Sequence, residues 1–169
     1  MEANVTGRGM KEFRNLEAVH AEIDRKLDEH QLALVRSGFD RAHRLFEEYR
    51  AAIRQHIEDE ESLLLPLYEE RVKIEPGGSA APYRAEHAKL ERMMESIDAR
   101  LRRLENIRLP ADAHDFIRCI EQEFELKRLW LAHALRERNI LFPALDAATD
   151  EEEREWLLSR CRGNGGDAA

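Results

Sequence analysis

Residues 56–66 read His-Ile-Glu-Asp-Glu-Glu-Ser-Leu-Leu-Leu-Pro, and residues 133–143 read His-Ala-Leu-Arg-Glu-Arg-Asn-Ile-Leu-Phe-Pro. Both stretches fit the pattern His-x3-Glu-x3-Leu-x-Pro. On a helix, residues four apart lie on the same face one turn apart. Each stretch therefore presents an imidazole nitrogen and a carboxylate oxygen in one direction, a donor pair that suits a transition metal. The repetition predicts a metal site between two helices.

The rest of the chain has the periodicity of long helices. Apolar residues recur every three or four positions in four segments, 13–34, 46–67, 83–104 and 116–140, which is typical of a helix face that packs into a core. We call these apolar faces the helix seams. Short connections make neighbouring helices antiparallel, so the sequence predicts an all-α fold, an antiparallel up-down-up-down four-helix bundle.

A shorter element follows the predicted bundle. Thr149 and Asp150 precede three glutamates, a pattern that predicts the start of a fifth, short helix. We therefore divide the chain into a bundle over residues 1–147 and a short helix with a tail over 148–169, and we expect the tail after residue 162 to be disordered. Pro66 and Pro143 should kink or end the second and fourth helices.

Six polar residues occupy seam positions that should be apolar. Burying an unpartnered polar group costs roughly 2–7 kcal/mol, and a shared metal would remove that cost. Four imidazoles and two carboxylates exceed the needs of one tetrahedral zinc and fit two metals bridged by the carboxylates. The alternative is a buried network of His–Glu hydrogen bonds. The predicted metal ligands are His20, His56, Glu60, His87, His133 and Glu137.

Other polar residues lie on or beside the seams. Glu91 follows His87 by one turn and is predicted as a seventh ligand, the alternative being a solvated surface glutamate. His30, His43 and His114 are expected at the surface or at the ends of the core. Glu123 faces inward by register, and we expect it to pair with an arginine such as Arg100 or Arg103.

Composition narrows the possible partners and location. The 169 residues fit one domain, and a net charge of −8 argues against nucleic acid. The sequence contains no run of eighteen apolar residues, so we expect no membrane span, and we expect no secretion signal at the N-terminus. Cys119 and Cys161 make neither a disulfide framework nor a thiolate metal site. We expect a cytoplasmic protein, either a monomer or a homodimer.

The two His-x3-Glu-x3-Leu-x-Pro stretches, with the ending Asn-Ile-Leu-Phe-Pro at 139–143, resemble those of hemerythrin-like (HHE cation-binding) proteins. The resemblance covers roughly residues 10–147. It implies a four-helix bundle with a non-haem diiron centre: two iron ions, an oxo or hydroxo bridge, and the six seam residues as ligands, with Glu60 and Glu137 bridging.

The resemblance is not equally close to all such proteins. Oxygen-carrying hemerythrins have His-x3-His on the third helix, where this chain has His87 and Glu91. They have His-x4-Asp on the fourth helix, where this chain has His133 and Glu137. The set of four histidines and two glutamates is more similar to bacterial proteins implicated in repairing iron–sulfur clusters under stress.

These observations predict a diiron protein that binds or senses a small oxidant, namely oxygen, nitric oxide or peroxide. No catalytic residue is assigned, and a binding protein is favoured over an enzyme. The alternatives are a diiron peroxidase or nitric-oxide-reducing enzyme, an iron donor or repair factor for iron–sulfur clusters, and an interaction module with a structural metal. Manganese or zinc occupancy stays open, because the affinity order of such sites does not favour iron.

Overall fold

The computed structural model describes residues 11–36, 38–72, 79–104 and 113–161. Helix accounts for 93% of these residues and no strand occurs among them, which confirms the all-α class. The predicted disordered tail lies outside the described residues. After a 3₁₀ turn at Phe13–Leu16, the helices are α1 (Glu17–Arg36), α2 (Phe39–Asp59), α3 (Leu65–Arg71), α4 (Ala81–Leu104), α5 (Ala113–Arg136), α6 (Phe142–Ala148) and α7 (Glu151–Arg160).

Two of the long helices contain a π-helical turn of five residues. Glu60–Leu64 joins α2 to α3, and Glu137–Leu141 joins α5 to α6. The residue after each turn donates its amide five positions back, to the carbonyl of the glutamate that begins the turn. A proline comes next in both cases. Proline has no N–H to donate four positions back and its ring would clash with the carbonyl there, so the regular α-helical pattern is interrupted at this place. The two prolines thus mark interruptions after which each helix continues.

The seams of the long helices form the core. Helix α1 packs against α2, α2 against α4, and α4 against α5. Side chains such as Phe46, Tyr49 and Trp130 are almost completely removed from solvent, and burying each large apolar group contributes about 1.5–3 kcal/mol. This packing fixes the helices that carry the polar seam residues.

Helix α7 is joined by hydrogen bonds to α6 and to the turn between α6 and α7. The side chain of Asp150 accepts a hydrogen bond from the amide of Glu153 at 2.9 Å, which confirms the predicted N-cap. The guanidinium of Arg154 donates to the carbonyls of Asp146 and Thr149 at 2.9 and 3.0 Å, and Leu157 is buried. Helix α7, the predicted fifth helix, is therefore held by both polar and apolar contacts.

One expectation about the buried polar residues was wrong, and another is narrowed. His30 was expected at the surface or at an end of the core; it is fully buried, and its Nδ1 donates to the carbonyl of Ala42 at 2.7 Å. Its Nε2 lies 3.0 Å from Oε1 of Glu123, so Glu123 pairs with a histidine and not with an arginine. Arg100 instead donates to Gln122 at 2.8 Å. A glutamate at a seam position pairs with another buried side chain and not with an arginine, because long arginine side chains tend to keep their guanidinium groups in water.

No helix in the described part of the chain is long and apolar enough to cross a membrane.

Candidate metal centre

The six polar seam residues meet in the core. His20 lies on α1, His56 on α2, His87 on α4 and His133 on α5, while Glu60 and Glu137 begin the two π-helical turns. All are buried; the most exposed is His20 at 7%, and both glutamates are at 0%. We call these six residues the His–Glu cluster.

The carboxylate of Glu60 lies among three of the histidines. Its Oε1 is 3.8 Å from Nε2 of His56, and its Oε2 is 3.2 Å from Nε2 of His87 and 3.8 Å from Nε2 of His133. The two oxygens of Glu60 therefore face different histidines.

The two carboxylate oxygens of Glu137 also face different histidines. Its Oε2 is 2.9 Å from Nε2 of His20, while its Oε1 is 3.6 Å from Nε2 of His56 and in close contact with Nε2 of His133. All four histidines turn their Nε2 atoms toward the two carboxylates.

The histidines form two edge-to-face pairs. The ring centroids of His20 and His56 are 5.0 Å apart and those of His87 and His133 are 4.8 Å apart, whereas His56 and His133 are separated by 5.9 Å. Each glutamate touches both pairs. The cluster thus consists of two halves, the His20/His56 half and the His87/His133 half, joined by two carboxylates.

The atoms at the centre of the cluster lack hydrogen bonds. The Nε2 atoms of all four histidines and both oxygens of Glu60 and Glu137 are buried, and none has a hydrogen-bond partner. Some of the contacts are short, but they do not align a ring N–H with a carboxylate oxygen as a hydrogen bond requires. Eight buried nitrogen and oxygen atoms without hydrogen bonds in one place form a set of ligand atoms that a cation could satisfy. One ligand atom from each of His56, Glu60, His133 and Glu137 falls within 4.8 Å of the others.

Comparison with known sequences gives the family. The sequence model of the hemerythrin HHE cation-binding domain matches residues 11–145. The chain belongs to the hemerythrin family. No curated protein and no solved structure matched the chain in these comparisons. The matched segment contains all six residues of the His–Glu cluster.

Without a metal, the charges of this hemerythrin domain's cluster compensate one another. Burial lowers the pKa of His133, but the negative charges of Glu137, Glu86 and Glu60 outweigh burial and raise that pKa to about 10. His56 likewise has a raised pKa, because Glu60 and Glu137 outweigh its burial. Burial raises the pKa of Glu137, yet protonated His133 and His56 hold it well below its usual range. A cation would replace these protons as the counter-charge.

Two carboxylates outside the His–Glu cluster accept hydrogen bonds from the outer ring nitrogens (Nδ1) of two of its histidines. Nδ1 of His87 donates to Glu61 at 2.8 Å, and Nδ1 of His133 donates to Glu86 at 3.1 Å, where Arg136 also donates. Such partners fix the ring orientation and raise the basicity of the ligating nitrogen. Among the described residues, no carboxylate contacts the outer nitrogen of His20 or His56. Glu61 and Glu86 were not predicted from the sequence, because they lie one position off the seams, where most glutamates face solvent.

Trp130 and Phe142 pack around the His20/His56 half. The Trp130 ring lies 5.3 Å from both His20 and His56, and its Nε1 donates to Asp24 at 3.0 Å. The ring of Phe142 stacks on His20 at 5.9 Å. This half of the cluster is therefore surrounded mainly by aromatic surface.

Glu91, the seventh predicted ligand, lies apart from the cluster in the described structure. Its side chain is 36% exposed and its carboxylate is 3.5 Å from Nε of Arg54. A ligand role for Glu91 stays a prediction.

A second group of potential ligands, His43, Glu47 and Asp98, lies near the surface. Asp98 is already 3.3 Å from Arg50 and 3.0 Å from Arg102. These cations compensate its charge, so this group is poorly suited to a metal ion.

Proposed function

We propose that this hemerythrin domain is a non-haem diiron protein that binds or senses a small oxidant such as oxygen, nitric oxide or peroxide. The observation that carries the proposal is the set of eight buried nitrogen and oxygen atoms without hydrogen bonds. These atoms belong to two histidine pairs that share two carboxylates.

The division into halves supports two metal positions. His20 and His56, with Oε1 of Glu60 and Oε2 of Glu137, would hold one ion. His87 and His133, with Oε2 of Glu60 and Oε1 of Glu137, would hold the other. Both glutamates would then bridge, and each ion would have four protein ligands. An ion with four protein ligands retains open positions for a small molecule, because iron commonly takes six.

The residues around the His–Glu cluster support binding of a small oxidant over its catalytic turnover. When bound, two ferrous ions supply one electron each to a small oxidant. Trp130 and Phe142 pack aromatic surface against the His20/His56 half, and Glu61 and Glu86 are already engaged with His87 and His133. Few groups are left to deliver protons, so the chain favours holding the oxidant over reducing it further.

The helix contacts support an antiparallel four-helix bundle as the frame. The packing of α1 on α2, α2 on α4 and α4 on α5 supplies three of the four neighbouring helix pairs of such a bundle. We propose that residues 1–147 form the metal-binding unit and that α7 caps it, since Arg71 of α3 pairs with Glu153 of α7 at 2.5 Å.

The proposal is tested by loading the protein with Fe(II) under anaerobic conditions and measuring bound iron. We expect about two iron ions per chain, as in other two-metal sites. Glu60→Gln should lose at least half of the iron, whereas Glu58→Gln, which is exposed on the same helix, should keep it. Less than one bound iron in the native protein, or full loading of Glu60→Gln, would contradict the proposal.

A second function, donation of iron to other proteins, is favoured by one observation. Among the described residues, carboxylates contact the outer nitrogens of the His87/His133 half alone, so an ion in the His20/His56 half would be held less firmly. Stepwise removal by a chelator, with one ion leaving early, would support donation. Steady turnover of peroxide or nitric oxide with an added reductant would instead support an enzyme.

A further inference from the structure

One face of helix α5 carries a row of solvent-exposed apolar side chains. Ile117, Phe124, Leu131 and Leu135 are between 39% and 65% exposed, and Phe124 is the most exposed of them. Their spacings of seven and four residues place them on one face of the helix. At 1.5 Å per residue the row is about 27 Å long. We call these four residues the α5 stripe.

Exposed apolar surface is concentrated on one side of the described structure. Among the described residues, helices α2, α3 and α4 expose no large apolar side chain. Outside the stripe, such side chains lie on α1 (Leu32 and Val35), in the second π-helical turn (Ile140) and on α7 (Trp156). Val35 follows by one turn Gln31, which donates to Glu123 of α5 at 3.3 Å, so Val35 lies on the face of α1 that borders α5. Apolar surface gathered in this way is typical of an interaction site.

The spacing of the stripe is complementary to itself. Ile117 lies seven residues before Phe124, and Leu131 lies seven residues after it. When two α5 helices pack antiparallel with Phe124 at a two-fold axis, Phe124 meets its own copy and each Ile117 meets Leu131 of the second copy. A two-fold contact of this kind uses the same surface on both chains. A second copy of the chain therefore offers each of these side chains an apolar partner.

Charged side chains beside the stripe fit the same antiparallel arrangement. Glu121 lies three residues before Phe124 and Arg128 four residues after it, on the same flank of the helix. When two copies of α5 run antiparallel, each Glu121 therefore comes opposite Arg128 of the second copy. A parallel pair would instead place each charge opposite its own kind.

The charges beside the stripe can form contacts between copies. Arg128 lies 3.1 Å from Glu125 of its own helix, and the two side chains are 76% and 63% exposed, so this ion pair contributes little to stability and can exchange. The net charge of −8 opposes self-association of the chain as a whole. Beside the stripe, however, Glu121 and Arg128 balance each other.

The size of the stripe fits a reversible dimer. A helix face about 27 Å long and about 10 Å wide covers on the order of 300 Å², and Val35 of α1 extends it. This area is smaller than the roughly 800 Å² per partner of a standard stable interface. We therefore expect a dissociation constant on the order of micromolar or weaker.

We propose that the α5 stripe is the contact surface of a homodimer, in which two copies of this chain pack α5 against α5, antiparallel, about a two-fold axis at Phe124. The stripe lies on the face of α5 opposite to the buried His133, so no residue of the His–Glu cluster takes part in the contact. The inference is therefore independent of the metal that the cluster holds.

Sedimentation velocity of the full chain over about 1–100 µM, the range around a micromolar constant, measures the dimer. The native protein should convert from monomer to dimer over that range. Phe124→Lys removes the central aromatic ring and places two like charges at the axis, so its dissociation constant should rise at least about tenfold. Trp156→Lys makes the same kind of change at an exposed aromatic residue of α7 and should dimerise like the native protein. Circular dichroism checks that both variants keep the native helix content.

Charge reversal tests the antiparallel orientation. Glu121→Arg and Arg128→Glu should each weaken the homodimer severalfold, because each creates two like-charge contacts across the axis. A mixture of the two variants should regain the native affinity as a heterodimer, because both contacts then join opposite charges. A fluorescent label on one variant lets its sedimentation be followed in the mixture.

Each measurement has an outcome that would overturn the proposal. A native protein that stays monomeric at about 100 µM, well above a micromolar constant, would overturn the dimer. A dimer that Phe124→Lys leaves intact would overturn its assignment to the α5 stripe. If Phe124→Lys loses helix content, the charge-reversal pair decides. A mixture that dimerises no better than either variant alone would overturn the antiparallel contact.

Discussion

Glu60 and Glu137 occupy equivalent places in two different helices. Each begins a five-residue π-helical turn, and each turn is followed within two residues by a proline. Each glutamate also lies one helical turn after a histidine of the cluster. The wider turn and the ligand pair thus come from the same repeated sequence, and π-helical turns are common at functional sites.

The carboxylates that contact the outer ring nitrogens of the cluster's histidines should control the metal affinity of the cluster. Glu86→Gln keeps the size of the side chain but removes the charge that His133 contacts, so metal affinity should fall about 10–100-fold. Glu91→Gln provides the control, because Glu91 pairs with Arg54 outside the cluster. The measurement is competition for Co²⁺ against a chromophoric chelator. Equal losses in the two variants would show that Glu91 is itself a ligand.

Metal binding should stabilise the folded chain. In the metal-free protein eight buried atoms of the cluster lack hydrogen bonds, and a metal satisfies them only when the chain is folded. At a free metal concentration 100 times Kd the free energy of unfolding rises by about 2.7 kcal/mol, which corresponds to a Tm increase of about 5–10 °C for a chain of this size. Calorimetry with and without chelator measures the shift. Glu60→Gln should show little of it; an equal shift in that variant would place the stabilising metal elsewhere.

The two tryptophans should respond differently to metal. Trp130 is 1% exposed and packs on His20 and His56, whereas Trp156 is 52% exposed on α7. Co²⁺ quenches nearby indoles, so loading should remove most of the emission of Trp156→Phe, which retains only Trp130. Trp130→Phe, which retains Trp156, should keep most of its emission. Strong quenching of Trp156 alone would contradict the location of the centre.

The buried pair of His30 and Glu123 should matter for stability and not for metal. Removing one partner leaves a buried polar or charged group unpaired, at a cost of about 3–5 kcal/mol. Glu123→Leu and His30→Leu should each lower the free energy of unfolding in urea by that order, and the double variant by less than their sum. Bound iron per folded chain should equal that of the native protein. A loss of iron in Glu123→Leu would link this pair to the centre.

Much of this organisation could be predicted from the sequence. The positions of the four long helical segments followed from apolar periodicity, although α2 begins at Phe39, before the first apolar residue of its predicted seam. The polar residues at seam positions included the six residues that the structure brings together. Glu61, Glu86 and Asp24 could not be predicted, because their roles depend on which neighbouring helix a long side chain reaches. The pairing of Glu123 with His30 was missed for the same reason: register shows that a side chain faces inward but not which residue on another helix lies opposite.

The central claim is that the His–Glu cluster holds two iron ions close enough to interact. Electron paramagnetic resonance of the iron-loaded, air-oxidised protein, with bound iron measured on the same sample, tests it most directly. Two ferric ions bridged by Glu60 and Glu137 should couple their spins, so we expect no electron paramagnetic resonance signal at full iron loading. A strong signal of isolated high-spin ferric ions that accounts for the bound iron would contradict it.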